Sequence, residues 1–467
     1  VVAWQAWDEA AFARARETGR PVLLSLGATW CGACHRMDEE TWDDPGVAAV
    51  VDATTVPIRV DADERPDLYG RYHLGGLPST AVLSPDGEFL RGGTFLSPTQ
   101  LLGLLDSARA DLREGRRPSP RTRAAAAASP LVSGMVERLR RRADREHGGF
   151  GAGAKLPEPE AVTLLLREWQ RTGDTELAAI ARESLDAIAA HLVDPADGAF
   201  FRYAAAVDWS GPHTEKVTVD QAALIALFLE ASATLGSAEY RHVGLRALEH
   251  ARARLADAEG RAYASVAAAP RDEVDRRRFA DAGAALARAG MLARELTGVE
   301  AGLAFEAAGA APDGAVPHWL DAPAGVATPR GLLRDQALAI AAAVEMHRGR
   351  GDTSLLEWAA RAAAWSVANL WDESRAAFRD APHSLSPSAT LSPQGRGQGE
   401  GRFFPLLANG EMAQALLALS DATGDSGWRR VAAAVVQSLG PEAARSPAGA
   451  ALALAAQHLD RGASPTT

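Results

Sequence analysis

The sequence predicts a chain in two parts, a small α/β domain followed by a much larger all-α domain. Three observations lead there. Residues 1–115 alternate short apolar runs with helical patterns, as one α/β unit does. From Leu131 onward the pattern is almost wholly helical, and one turn motif recurs at a spacing of about 55–65 residues. Alanine is heavily used while aromatics make up only 6% of the chain, which favours packed helices over a β-sandwich. At 467 residues the chain exceeds one small core, so two or three domains are expected.

In the first part, Asp8 to Thr18 reads as a helix closed by Gly19, and Pro21 to Leu26 as a short, fully apolar strand. Cys34 to Val51 is helical, and Val56 to Val60 is a strand. Val82-Leu83 and Glu88-Phe89-Leu90 flank a Pro85-Asp86-Gly87 turn and read as a hairpin. Pro98 to Arg113 closes the domain as a helix. Residues 116–130, with Pro118, Pro120 and an alanine run, read as a linker.

Trp30-Cys31-Gly32-Ala33-Cys34 follows the buried strand and opens the next helix. That placement predicts a thioredoxin-like fold built for thiol–disulfide exchange. A cysteine at a helix N-terminus has its thiolate favoured by unpaired amide donors and the macrodipole. The second cysteine, one turn along, resolves a mixed disulfide. Gly75-Gly76-Leu77-Pro78 precedes the hairpin, where such folds place a cis proline that receives an extended substrate segment; Pro78 is therefore expected to be cis. Three rival readings exist. Cys31-x-x-Cys34-His35 also spells the c-type haem attachment pattern, which needs export and leaves Pro78 unexplained. A metal site on Cys31, Cys34 and His35 lacks ligands. A degenerate fold with idle thiols is the third. Thioredoxin itself carries a buried aspartate six positions before the first cysteine and a proline between the cysteines; Ser25 and Ala33 stand here. Proton transfer from Cys34 then falls to Asp38, Glu39 or water.

In the second part, Asp144 to Phe150, Asp194 to Phe200, Asp257 to Tyr263, Asp313 to Trp319 and Asp372 to Phe378 are copies of one turn. Thr172-Gly173-Asp174, Leu235-Gly236-Ser237, Gly351-Asp352 and Thr423-Gly424-Asp425 mark shorter turns between helices. Five or six helical hairpins close into a toroid or stack as an open solenoid, and polar loops on one side favour the toroid. The predicted domain spans 131–462, with a low-complexity insertion at 382–402 that cannot bury a core.

The formal net charge of −11 excludes a basic face for nucleic acid or anionic membrane. No apolar run approaches the ~20 residues that span a bilayer. No leader is read, so the cytoplasm is the expected location, although the opening Val1-Val2-Ala3-Trp4 raises the expectation of a missing leader or first strand. The two cysteines make no disulfide framework, and neither cofactor nor metal is expected.

Longer segments carry a family resemblance. They are Trp4, Trp7 and Phe12; Val60 to Asp67 (Val-Asp-Ala-Asp-Glu-Arg-Pro-Asp); and Gly148-Gly149-Phe150-Gly151 with Lys155-Leu156-Pro157. Further on come Trp209, Gly211 to Lys216, Asp220-Gln221-Ala222, and Asn409 leading to Thr423-Gly424-Asp425. Over nearly its whole length the chain resembles YyaL-like thioredoxin-domain proteins, related to spermatogenesis-associated protein 20. The resemblance implies an (α/α)6 toroid like those of six-hairpin glycosidases and sugar epimerases. Gly32, Ala33, Leu77, Thr214 and Val217 depart from the residues that many members carry.

Lys155 and Lys216, the only lysines among 49 basic residues, fall in two of these segments. One reading is a role that needs a compact ammonium; the other is a structural ion pair. The expected substrate-binding set is Lys155, Trp209, His213, Glu215, Lys216, Asp220, Asp335 and Asn409, with Tyr203, Gln336 and Glu411 nearby. A glycosidase needs two carboxylates about 5–5.5 Å or 6.5–9.5 Å apart, drawn from Glu215 or Asp220 with Asp335 or Glu411. An epimerase-like reaction wants His213 and His318 as acid and base. His191, His242 and His250 read as structural or exposed. The expected partners are protein thiols or disulfides, or a small carbohydrate. The function read from sequence is a thiol–disulfide oxidoreductase joined to a toroid. The alternatives are a carbohydrate-active protein with an auxiliary thioredoxin domain, and a non-catalytic scaffold.

Overall fold

A computed structural model describes residues 1–115, 131–382, 385 and 404–461. The predicted linker at 116–130 and nearly all of the predicted insertion at 382–402 lie outside the described residues. The chain divides into two compact units, with residues 1–115 in the first and 131–379 and 404–461 in the second. Asp380 groups with the first unit, where it takes a two-pronged ion pair from Arg71 at 2.7 and 2.8 Å.

In the first unit, β1 (Val22–Gly27), β2 (Val56–Asp61), β3 (Ser79–Leu83) and β4 (Phe89–Gly93) form one sheet in the order β2–β1–β3–β4. β1 and β2 are parallel, and β3 runs antiparallel to both β1 and β4. Five helices accompany them: α1 (Glu9–Thr18), α2 (Gly32–Met37), α3 (Pro45–Thr54), α4 (Pro66–Tyr72) and α5 (Pro98–Arg113). β1 is buried on both faces, which is why it reads as an unbroken apolar run. Val22, Leu24 and Leu26 pack with Phe12 and Leu68, while Leu23 faces Met37, Trp42 and Leu101. The predicted single helix at Cys34–Val51 is broken. α2 passes into a π-turn segment, Asp38–Trp42, and α3 restarts at Pro45 with Asp44 as its N-cap. Proline lacks the N–H that a continuous helix needs but fits a first turn. Trp4 meets Trp42 edge-on at 5.0 Å and Trp7 meets Phe12 at 4.8 Å, so the opening tryptophans pack, partly buried, against the core.

The second unit is a closed ring of helical hairpins. Its helices are α6 (Leu131–Arg142), α7 (Pro159–Thr172), α8 (Thr175–His191), α9 (Thr218–Leu235), α10 (Ala238–Arg254), α11 (Ala280–Thr297), α12 (Ala307–Ala310), α13 (Leu333–Arg350), α14 (Thr353–Leu370), α15 (Leu406–Thr423), α16 (Ser426–Ala443) and α17 (Ala450–Arg461). α7, α9, α11, α13, α15 and α17 each pack on the next, and α17 returns to α7, which closes an inner ring. α8, α10, α14 and α16 back their partners from outside, α6 packs on α17, and the short α12 stands behind α11. α9 is long and apolar enough to cross a membrane by composition. Its place between α7 and α11, with α10 behind it, accounts for that composition. α7, α9, α11, α13 and α15 each end in a left-handed glycine, and Asp or Ser then caps α8, α10, α14 and α16.

The repeated aspartates start the outer-to-inner connections. The side chains of Asp144, Asp194, Asp257, Asp313 and Asp372 each accept amides a few residues on. Buried amides of the inner helices then fasten the end of three of these turns. Gln221 exchanges both hydrogen bonds with the Phe200 backbone, Asn409 does the same with Phe378, and Gln336 bonds Val316 N–H and Gly314 C=O.

Candidate functional site

The first site lies where β1 meets α2. Cys31 is the N-cap of α2, and its Sγ accepts the Cys34 amide at 3.1 Å. The two sulfurs form a disulfide, and both residues are buried. The Leu77–Pro78 bond is cis, as expected from the sequence. Gly27, at the end of β1, backs onto Cys34: a Cβ there would stand 3.7 Å from its Sγ. Ser25 is buried on the same strand face as Leu23. Asp38, one of the expected bases, is instead engaged by Arg59, whose guanidinium lies over the Trp4 ring. The Val60–Asp67 segment supports the site from behind. Asp63 accepts the Trp30 indole N–H at 2.8 Å, which fixes the residue before Cys31. Arg65 grips Asp67 at 2.9 and 2.7 Å. Burial raises the Asp67 carboxyl, but the Arg65 hydrogen bond and charge, aided by Arg71, hold it below its ordinary range.

In the toroid the expected residues separate into two groups. One group is structural. Lys155 has no exposed surface and donates to Asp144 Oδ2 at 2.6 Å, Gly148 O at 2.9 Å and Gly151 O at 3.2 Å. Lys216 does the same for the next turn, bonding Asp194 and Asp197 at 2.7 Å each. Each lysine clamps one copy of the repeated turn, which is the structural ion pair of the two readings above. Trp209 is 1% exposed and donates its indole N–H to His147 O, so it offers no platform to a sugar. Asn409 is fully buried and its amide is committed to Phe378 and Pro405. None of these four side chains presents a free polar face to a ligand.

The other group gathers at the N-terminal ends of the inner helices. His213 stacks on Tyr203 at 4.1 Å, with Nδ1 3.7 Å from the buried Glu215. Arg202 lies between Glu215, at 3.9 Å, and Asp220, at 3.4 Å. Glu160, Asp220, Asp281, Arg334 and Asp335 occupy the first turns of α7, α9, α11 and α13. Arg334 pairs with Glu411 of α15 at 3.2 Å. His318 and Asp335 form a buried pair, Nδ1 lying 3.0 Å from both carboxylate oxygens.

A cavity of about 660 Å³ runs between the inner helices, with Glu160, Arg167, Glu230, Arg288, Arg334 and Glu411 in its wall. Inside the ring, burial raises the Glu160 carboxyl, and the neighbouring charges of Glu411 and Asp220 add to this against Arg334. Glu411 and Asp281 raise the Arg334 guanidinium. Burial likewise raises Asp335, against His318. Glu160 and Glu411 thus share the wall of one cavity with Arg334. Glu160, Arg334 and Asp281 were not singled out from sequence. Their signal was positional: each sits in the first turn after an outer-to-inner connection.

Residues 1–110 match the model of the Thioredox_DsbH family, described as protein of unknown function, DUF255. Spermatogenesis-associated protein 20 of Mus musculus is 26% identical over 307 residues, which cover 56% of this chain and 38% of that protein. This likeness to spermatogenesis-associated protein 20 agrees with the resemblance read from the sequence. Thiol:disulfide interchange protein DsbD of Ralstonia nicotianae is 38% identical over 101 residues, 19% of this chain and 16% of that protein. Cellobiose 2-epimerase from Spirochaeta thermophila superposes with a TM-score of 0.55 at 13% identity, over 72% of this chain and 96% of that one. D-mannose isomerase gives 0.52 at 12% identity, over 68% and 88%. At such identity the structural likeness shows the fold, which is the six-hairpin toroid. The chain spans well under half the length of the curated relatives it matches.

Proposed function

We propose that this protein is a thiol–disulfide oxidoreductase whose exchanging pair is Cys31 and Cys34. The observation that carries this reading is the disulfide itself, formed within one turn at the strand–helix junction with Cys31 Sγ accepting the Cys34 amide. In the reduced form the Cys31 thiolate attacks a substrate disulfide. A mixed disulfide forms and one substrate thiolate leaves. Cys34 then attacks Cys31 Sγ, the second substrate thiolate leaves, and the Cys31–Cys34 disulfide closes. A dithiol donor returns the pair to the reduced state. The Trp30–Asp63 hydrogen bond keeps the approach to Cys31 in place. Dithiothreitol-driven insulin reduction tests the reading, with Cys31→Ser as control. A rate for the wild type no higher than for the variant would remove it.

One observation favours a second activity in the same chain. Glu160, Arg334 and Glu411 face a common cavity, where burial raises the Glu160 carboxyl and Arg334 pairs with Glu411. That arrangement suits proton transfer on a small carbohydrate. Thermal-shift screening of mono- and disaccharides is the test. A sugar that stabilises the wild type and not Glu160→Gln supports the reading, and equal shifts for both count against it.

A further inference from the structure

We propose that Asp281, His318 and Asp335 form a divalent transition-metal site in the helical domain. This goes beyond both activities above and does not depend on either. One imidazole nitrogen and one oxygen from each carboxylate lie within 4.8 Å of one another. His318 and Asp335 are each 1% exposed, and Asp281 is half-buried. The spacing suits coordination: ligands at about 2.0–2.2 Å from a metal and at right angles to each other stand roughly 3 Å apart. His318 Nδ1 lies 3.0 Å from both oxygens of Asp335.

Charge makes the case stronger than spacing alone. Two carboxylates converge on one imidazole. A neutral ring offers a single Nδ1 proton, and a protonated ring still leaves one net negative charge. Among the described residues no arginine or lysine forms an ion pair with Asp281 or Asp335, because Arg334 is turned to Glu411. Arg334 offsets part of this charge through space, and a divalent cation at ligand distance removes the rest. The positive ends of α11 and α13 oppose a cation, but two carboxylates at ligand distance outweigh helix-end partial charges.

The donors are also held in place. Phe279 stacks on the His318 ring at 4.8 Å, and the His318 carbonyl accepts Ala280 N–H at 2.8 Å while its amide donates to Pro329 O at 2.8 Å. Asp281 and Asp335 stand in the first turns of two packed inner helices. One imidazole with two carboxylates suits zinc, manganese, iron(II) or cobalt, whereas magnesium and calcium prefer all-oxygen sets. Three protein donors leave coordination positions for water or another oxygen ligand.

The test uses the full chain in its disulfide form, so that thiolates do not compete for metal. After chelation and dialysis, manganese(II) and zinc(II) binding is followed by calorimetry and by metal analysis of the dialysed protein. One equivalent is expected for the wild type. His318→Ala and Asp335→Asn should weaken binding by more than the roughly 10–100-fold that loss of an outer partner costs. Asp281→Asn, at the half-buried position, serves if those variants fold poorly, and should also weaken binding and alter the manganese spin-resonance spectrum. Substoichiometric binding to the wild type, or wild-type affinity in a folded Asp281→Asn variant, would overturn the proposal.

Discussion

The Lys155 ammonium donates to Asp144 Oδ2 at 2.6 Å from a position with no exposed surface, and its other two protons go to the carbonyls of Gly148 and Gly151. Its three donors therefore hold one turn of the repeat closed. Lys155→Met strands the Asp144 carboxylate and is expected to destabilise the helical domain by about 3–5 kcal/mol. Lys155→Arg should not restore it, because a planar fork cannot point at three acceptors around one atom. Urea unfolding followed by far-ultraviolet circular dichroism checks both; equal midpoints for wild type and Lys155→Met would refute the clamp.

His250 Nδ1 lies 3.0 Å from Asp197, and its Nε2 is buried with no hydrogen-bond partner. Burial pushes its pKa below the ordinary value, with Lys216 and Arg254 adding to this and Asp197 and Asp194 opposing. The folded chain therefore keeps the ring neutral where the unfolded chain protonates it, near the ordinary value of about 6.5. The resulting stability is present above that value and is lost as pH falls below it towards the folded-state pKa. His250→Gln should flatten the difference in urea midpoint between pH 7.5 and pH 5.5, both of which are on the order of one unit from that reference. An unchanged difference contradicts the assignment.

Asn409 accepts Phe378 N–H and donates to Phe378 C=O, both at 2.9 Å. Asn409→Leu leaves two buried backbone groups unpaired, at roughly 1–3 kcal/mol for each. Gln221→Leu should behave alike at Phe200. Amide hydrogen exchange is the discriminating readout: the Phe378 amide should lose protection in Asn409→Leu.

For the thiol pair, Cys34→Ser is expected to accumulate a mixed disulfide with an oxidised protein substrate, and Cys31→Ser is not. Non-reducing electrophoresis with mass spectrometry reads this out. Trapping by Cys31→Ser alone would exchange the two roles. Asp63→Ala should slow exchange several-fold while leaving the disulfide able to form, because Trp30 loses its indole acceptor.

Much of this molecule was legible from one-dimensional signals. Pro78, the strand–Cys-x-x-Cys–helix order and the repeated Asp and Gly turns are local features, and local geometry dictates their residues. The break at Pro45 was legible too, but the apolar periodicity across it masked it. The roles of the toroid residues were not legible. Lys155 and Lys216 stood out by rarity, yet rarity cannot distinguish a ligand contact from a clamp. That depends on which acceptors surround the ammonium, and Asp194 and Asp197 lie 22 and 19 residues from Lys216.

By itself, then, the sequence determined the paired cysteines at the strand–helix junction, the two-domain plan and the hairpin repeat, because each rests on residues within a few turns of one another. Only the tertiary structure decided which polar side chains are consumed by the fold and which meet in the ring. Closing six hairpins brings the inner helices together around one cavity, placing Glu160 in its wall with Arg334 and Glu411. It also sets His318 against Asp335. Desolvation and charge coupling act through space, so no spacing along the chain encodes them.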